Sequence, residues 1–277
     1  MQQSPRQSIS TIGSDRHSFW DASGNATTPL TTPPSSEIKP QRSEYTTTIA
    51  FRPSLSVSFT KGSSLFKLKF SRLDICRDAG GGLRCLELSD PQTSTLIHAF
   101  PNSKLPIPHL EQPYVSRSSS TYRISFLEEQ TVQTAGTLFQ TKPAYTFEKW
   151  EECLRFQEAL LLQNVVFCAG LAEAKSKRGE ECISQNLRVL KARSGRQILI
   201  FFANSQRKEK QKYVSIPLDS IDQIDPGKKS SRPVVMKLSA DTEQLSAMKT
   251  LQVQFLHDND HMRFVSVLQQ IHNPYTQ

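Results

Sequence analysis

From residue 44 onward, apolar and polar residues alternate in short runs. Leu55, Val57 and Phe59, then Leu65-Phe66-Lys67-Leu68-Lys69-Phe70, then Leu73 and Ile75 follow a period near two, the pattern of strands with one buried face. Asp78-Ala79-Gly80-Gly81-Gly82 reads as a hairpin turn before a strand at 83–88, and residues 94–100, 121–127 and 131–140 predict further strands. Pro101, Pro106, Pro108, Pro113 and the run Ser116 to Ser120 mark an irregular insertion near 101–120. The period then changes. In TFEKWEECLRFQEALLLQ, residues 146–163, Phe147, Trp150, Leu154 and Leu161 share one helical face, and Cys153, Phe156 and Leu160 an adjoining one. This predicts a helix capped by Thr146, with Glu148, Glu151 and Glu152 at its positive end. Trp150 and Leu154 are its expected structural anchors.

A second series of about seven strands follows, at 165–174, 186–193, 197–203, 212–217, 221–224, 233–238 and 251–256. It closes with a helix at 260–272, anchored by Phe264 and Leu268 and stopped by Asn273-Pro274. Each half thus runs strands and then one helix, and Phe147, Trp150 and Leu154 correspond in spacing to His261, Phe264 and Leu268. The expected domains are a tail at 1–43, a first module at 44–163 and a second at 164–273. This architecture resembles the pleckstrin-homology (PH) family, in tandem as in fungal-type or adaptor-like proteins. Trp150 matches the aromatic residue of that family's closing helix; Phe264 departs from it conservatively. The resemblance implies a mainly β fold with α, made of two tandem partly open barrels, each closed by a C-terminal helix. It implies binding modules, for phosphoinositides or proteins, without catalysis.

Composition adds three points. Residues 1–43 are rich in Ser, Thr, Pro and Gln and poor in large apolar residues, so a disordered tail is expected, and Ser4-Pro5, Thr28-Pro29 and Thr32-Pro33 suit proline-directed phosphorylation. The five cysteines are odd in number with no CxxC spacing, which suggests reduced thiols and a cytoplasmic setting, peripheral at a membrane or the cell cortex; a nuclear one stays open. MQQSPRQSIS shows no secretory signal, and no apolar run is long enough for a transmembrane helix. The net charge of +8 is uneven: residues 164–277 hold 17 basic against 11 acidic groups, while 44–163 hold 13 against 12.

That excess gathers in loops of the second module. Lys175, Lys177 and Arg178 fall in its first loop and Arg207, Lys208, Lys210 and Lys212 in its third, at one mouth of a meander; Lys228, Lys229 and Arg232 are expected at the same end. Such a cluster suits anionic headgroups or an acidic partner at roughly 1 kcal/mol per cation near a charged surface; a merely solvated basic surface is the competing reading. The family's basic-x-Arg pattern fits Lys191-Ala192-Arg193 only loosely, and Arg188 is better placed but outside the pattern. In the first module Lys61 and Lys67-x-Lys69 stand too close together to match it. The triple glycine lacks the following GK[ST] of a phosphate loop. KLPIPHL, residues 104–110, reads either as a solvated loop or as an extended peptide for a partner's groove. His257-Asp258-Asn259-Asp260-His261 is the one metal-like constellation, and it falls where Asp and Asn cap helices. No nucleophile motif or paired carboxylate marks an enzyme. The expectation is a non-catalytic adaptor or scaffold without cofactor or metal, binding a protein partner and acidic lipid. The alternative is a nuclear, chromatin- or nucleic-acid-associated tandem PH protein.

Overall fold

A computed structural model describes residues 45–91, 93–100, 107–112, 121–203, 213–227, 232–240 and 243–272. The tail and its phosphorylation motifs, with most of the 101–120 insertion, lie outside the described residues. The first half contains strands β1 (Tyr45–Lys61), β2 (Ser64–Arg77), β3 (Leu83–Asp90), β4 (Thr93–Ala99), β5 (His109–Leu110), β6 (Tyr122–Ser125), β7 (Gln130–Thr134), β8 (Thr137–Thr141) and β9 (Ala144–Phe147), then helix α1 (Trp150–Leu161). The second contains β10 (Gln163–Ser176), β11 (Gly179–Ala192), β12 (Gln197–Phe202), β13 (Tyr213–Pro217), a 3-10 turn at Leu218–Ser220, β14 (Ile221–Asp225), β15 (Val234–Leu238), α2 (Glu243–Met248), β16 (Thr250–Phe255) and α3 (Asp258–His272). The chain is mainly β with a few helices.

The strands form two antiparallel sheets. The first runs β5-β6-β9-β1-β2-β3-β4-β7-β8 and the second β14-β15-β16-β10-β11-β12-β13. The seven strands of the second match the first seven of the first in order and direction of travel. The β7–β8 hairpin is what the first sheet adds, beyond β4. Both sheets curl. In the first, the Thr60 N–H donates to Thr141 Oγ1 (3.2 Å), bringing β8 back to β1. In the second, only three residues join the two edge strands β13 and β14, so those edges must approach each other.

Inward residues alternate as the sequence predicts: Leu55, Val57 and Phe59 on β1 and Leu73 and Ile75 on β2 enter the first core. The Gly80-Gly81-Gly82 stretch is a turn closed by Asp78, whose Oδ1 accepts from the Gly82 N–H (2.7 Å) and whose N–H donates to Gly82 O (2.9 Å). Gly81, at φ 82°, takes the left-handed conformation that the turn requires.

The helices need correction. Helix α1 begins at Trp150, three residues later than a Thr146 cap implies. Thr146 pairs with Ser56 inside the sheet, and the capping position belongs to Lys149, which makes no side-chain cap bond. Trp150 and Leu154 are only half-buried; Trp150, on the first turn, rests against Tyr122 at 5.3 Å. The buried residues of the helix are Cys153, Phe156 and Leu160 of the second face, together with Gln157 and, from the first face, Leu161. Counting each helix from its first residue aligns Cys153, Phe156 and Leu160 with His261, Phe264 and Leu268, all buried. The internal repeat then includes an aromatic triad. Phe147 lies 6.0 Å from Phe51 and 5.3 Å from Phe156; Phe255 lies 6.0 Å from Phe167 and 5.1 Å from Phe264. Each triad joins the first strand, the last strand and the helix of its half, and Phe156, not Trp150, holds the helical place. Phe264 and Leu268 are both buried in the second core.

Candidate binding surface

Of the cations that the sequence singles out in the second half, Lys175, Lys177, Arg178 and Arg188 lie on the β10–β11 hairpin. Lys175, Lys177 and Arg178 are exposed at its turn. The turn is held from three sides. The Arg178 N–H donates to Ser176 Oγ (3.0 Å), Ser176 Oγ donates in turn to the buried carboxylate of Glu181, and the Lys177 N–H donates to Met248 O (3.3 Å). Lys175 Nζ pairs with Glu173 Oε1 at 2.7 Å, an exposed contact of small energetic weight. These bonds position a basic turn whose backbone is fixed while its long side chains remain in water.

Register decides what shares that end. Ser176 lies opposite Leu251, and Lys237 opposite Thr250, so the connection from β15 through α2 to β16 sits beside the hairpin turn. It brings exposed Lys249, which adopts φ 56° immediately after Met248. The sequence reading missed Lys249 because it compared neighbouring strands; pairing the first strand of the second half with its last would have found it. The same register corrects the expectation for Arg232. Val234 lies opposite Val253, so the β14–β15 turn is at the other end, where Pro226 O accepts from His261 Nε2 (2.9 Å). Arg207, Lys208, Lys210, Lys212, Lys228 and Lys229 lie outside the described residues.

Arg188 is not at the mouth. It is 1% exposed and sits in the seam between the two halves, with Nη1 donating to Gln157 Oε1 of α1 (2.8 Å) and its guanidinium 5.9 Å from the Phe202 ring centroid. Burial lowers its pKa, partly offset by the Cys168 and Cys153 thiols. Gln157 reaches Arg188 because it lies on the buried face of α1, with Nε2 donating to Cys153 O (3.4 Å). Around this pair the Val165 N–H donates to Glu158 Oε1 (2.9 Å), and Cys168 of β10 joins the first core. Arg188 is therefore withdrawn as a candidate ligand residue. The sign of its burial is legible in its neighbour: Gln197-Ile198-Leu199-Ile200-Phe201-Phe202 is apolar on both faces, as a strand covered on both sides must be.

The described part of KLPIPHL also packs on the seam. His109–Leu110 pairs with β6, Asn186 Nδ2 donates to Leu110 O (3.1 Å) and Gln112 O (2.7 Å), and the His109 ring meets Phe202 at 4.5 Å and Gln185 Oε1 at 3.1 Å. Its described residues are held by both halves of the chain, paired to β6 of the first and contacted by β11 and β12 of the second. Burial holds the His109 pKa below the usual imidazole range.

A second exposed feature lies on the first half, at the β1–β2 hairpin. Leu65 is 72% and Phe66 40% exposed, among exposed Lys61, Lys67 and Lys69. Phe66 stacks on Phe59 at 5.5 Å, and Lys61 lies over Phe139 at 5.3 Å. Among the described residues no three His, Cys, Asp or Glu side chains converge as a metal group. Within the stretch 257–261, His261 is engaged by Pro226 O, and Asp260 accepts from Arg263 Nη1 at 2.9 Å. No helix among the described residues is long and apolar enough to cross a membrane. No protein-family model matches the chain, and no curated protein shows significant similarity to it.

Proposed function

We propose that this protein is a non-catalytic adaptor of two PH-like modules whose second module meets an anionic surface through the β10–β11 hairpin. The observation that carries the reading is the turn itself: Lys175, Lys177 and Arg178 exposed on a backbone pinned to Glu181 and Met248, with Lys249 alongside. A purely solvated loop does not require such anchoring. The repeated strand order, with one helix packed after the last strand in each half, supports the PH-like assignment. The seam supports a single adaptor body presenting one face to the anionic surface and others to a protein partner. The setting that follows is cytoplasmic, at the inner face of a membrane or the cortex.

Co-sedimentation with vesicles of phosphatidylcholine alone, with added phosphatidylserine or with added phosphoinositide, at two salt concentrations, tests this. The wild type is expected to bind the anionic vesicles, with binding reduced at least tenfold when Lys175, Lys177, Arg178 and Lys249 are all changed to Glu, since four contacts near a charged membrane contribute roughly 1 kcal/mol each. Equal binding by wild type and variant would sink the site. Absence of vesicle binding with salt-sensitive duplex DNA binding would favour the nuclear alternative.

A further inference from the structure

We propose that Cys76 and Cys85 form a dithiol site that closes to an intrachain disulfide when the protein meets a hydroperoxide. The two residues lie directly opposite each other on β2 and β3, at the last register pair before the ladder shifts between Cys76 and Arg77. Directly opposed antiparallel residues have Cα separations of about 4.5 or about 5.5 Å, within the range of about 4.4–6.8 Å that disulfides span, so the backbone spacing of this pair suits a bridge. Cys76 Sγ lies 4.0 Å from Asp74 O, and the two thiols are near enough to interact electrostatically. Both sulfurs are free thiols; Cys76 is buried and Cys85 half-buried. Water and a small oxidant reach Cys85 first.

The chemistry balances with one hydroperoxide. The Cys85 thiolate attacks the peroxide oxygen, the O–O bond breaks, and Cys85 becomes a sulfenic acid while the other oxygen leaves as water or an alcohol. The Cys76 sulfur then displaces water from the sulfenic acid, forming the S–S bond. Two thiols are oxidised and one peroxide is reduced. Burial, with the Cys76 thiol and the Glu87 carboxylate contributing, pushes the Cys85 thiol up to about 12. At neutral pH its thiolate is scarce, so the site answers sustained exposure rather than a brief pulse. Cys153, Cys168 and Cys182 are buried in the two cores and serve as internal controls.

The position gives closure a structural effect. Arg77, next to Cys76, donates through Nη2 to Ala159 O and Leu160 O at the C-terminus of α1 (both 2.7 Å) and through Nη1 to Gly81 O (3.0 Å). A disulfide at residues 76 and 85 would fix the hairpin from which Arg77 holds that helix end.

The test uses the full chain, fully reduced and then exposed to hydrogen peroxide. Thiols are counted after unfolding, and the protein is then cut with trypsin. Cleavage after Arg77 and Arg84 separates the two cysteines, so the bond appears as a linked pair of peptides about 2 Da lighter than their sum. The expected result is a fall from five free thiols to three, a single linked pair joining residues 76 and 85, and full reversal by dithiothreitol. In the Cys76→Ser protein, Cys85 should instead be trapped as the sulfenic acid by dimedone. Retention of all five thiols, loss of thiols elsewhere with this pair intact, or oxidation to separate sulfinic acids would overturn the proposal.

Discussion

The two halves solve the same packing problem and then differ at the equivalent turn. Each joins its first strand, last strand and helix through three phenylalanines, Phe51, Phe147 and Phe156 in one and Phe167, Phe255 and Phe264 in the other. At the first hairpin the halves diverge. The β1–β2 turn displays Leu65 and Phe66 among lysines, whereas the β10–β11 turn displays Lys175, Lys177 and Arg178, and its exposed apolar residue, Ile183, sits lower on the strand opposite Glu173. Core positions are dictated by close packing; a turn that satisfies its backbone bonds leaves its side chains exposed to solvent. The two turns thus differ in surface chemistry while the two cores follow one packing plan.

The strongest way to break this comparison is through the triads. Phe156→Ala and Phe264→Ala should each cost about 3–5 kcal/mol, each acting first on its own half, whereas Trp150→Ala should cost distinctly less because the indole is only half-buried. Denaturant unfolding followed by hydrogen exchange would check this; equal losses for Trp150→Ala and Phe156→Ala would restore Trp150 as the anchor.

Acid should separate the halves next. His98 is fully buried against Phe100, Phe126 and Tyr145, sharing a 2.7 Å hydrogen bond with the Tyr145 hydroxyl, and burial lowers its pKa from 6.5 to about 3. The folded imidazole stays neutral while the unfolded one takes up a proton below 6.5. The unfolded state therefore binds more protons between pH 6.5 and about 3, and the stability of the first half should fall as pH falls through that window, on the order of a few kcal/mol. A His98→Phe protein should lose most of that dependence; an unchanged pH profile would remove His98 as the cause.

The seam gives a smaller and more diagnostic effect. Gln157→Ala leaves the Arg188 guanidinium buried without its acceptor and should cost about 2–3 kcal/mol. The double change Gln157→Leu with Arg188→Met should be near neutral, since a buried charge replaced by apolar volume relieves its desolvation. If the double variant is as unstable as the single one, the seam depends on more than this pair. Smallest of all, Leu65→Ser should change stability by no more than about 0.5 kcal/mol, as measured by urea midpoint, because its side chain is mostly in water. A larger loss would mean that the first turn is structural and does not differ from the second in freedom.

Much of this fold is legible in the residues. Alternation locates the strands around Leu55, Val57 and Phe59, and Asp78 with its glycines gives the turn. The helix face is harder. A periodicity of 3.6 groups Trp150 with Leu154 as readily as Cys153 with Phe156 and Leu160, and only the strand beneath chooses between them. The exposure of Lys249 and the burial of Arg188 escape the sequence for a shared reason. Whether a cation meets solvent depends on which strands pair across the barrel and on what covers the outer face of β11, and neither is written locally. The β5 strand has only two residues, too few for any periodicity, and its ordering comes from Asn186 and Phe202 some 76–93 positions later in the chain.

That β5 contact also bears on inheritance. A recombination event that parted the halves near Leu162 would leave one product a His109–Leu110 segment paired to β6 but uncovered on its other side, and the other product an uncovered Phe202 ring and an Arg188 cation without its Gln157 acceptor. The visible repeat invites such shuffling of parts. The seam instead makes the tandem a single heritable unit, in which a change at residue 109 is judged by selection against residues 185, 186 and 202.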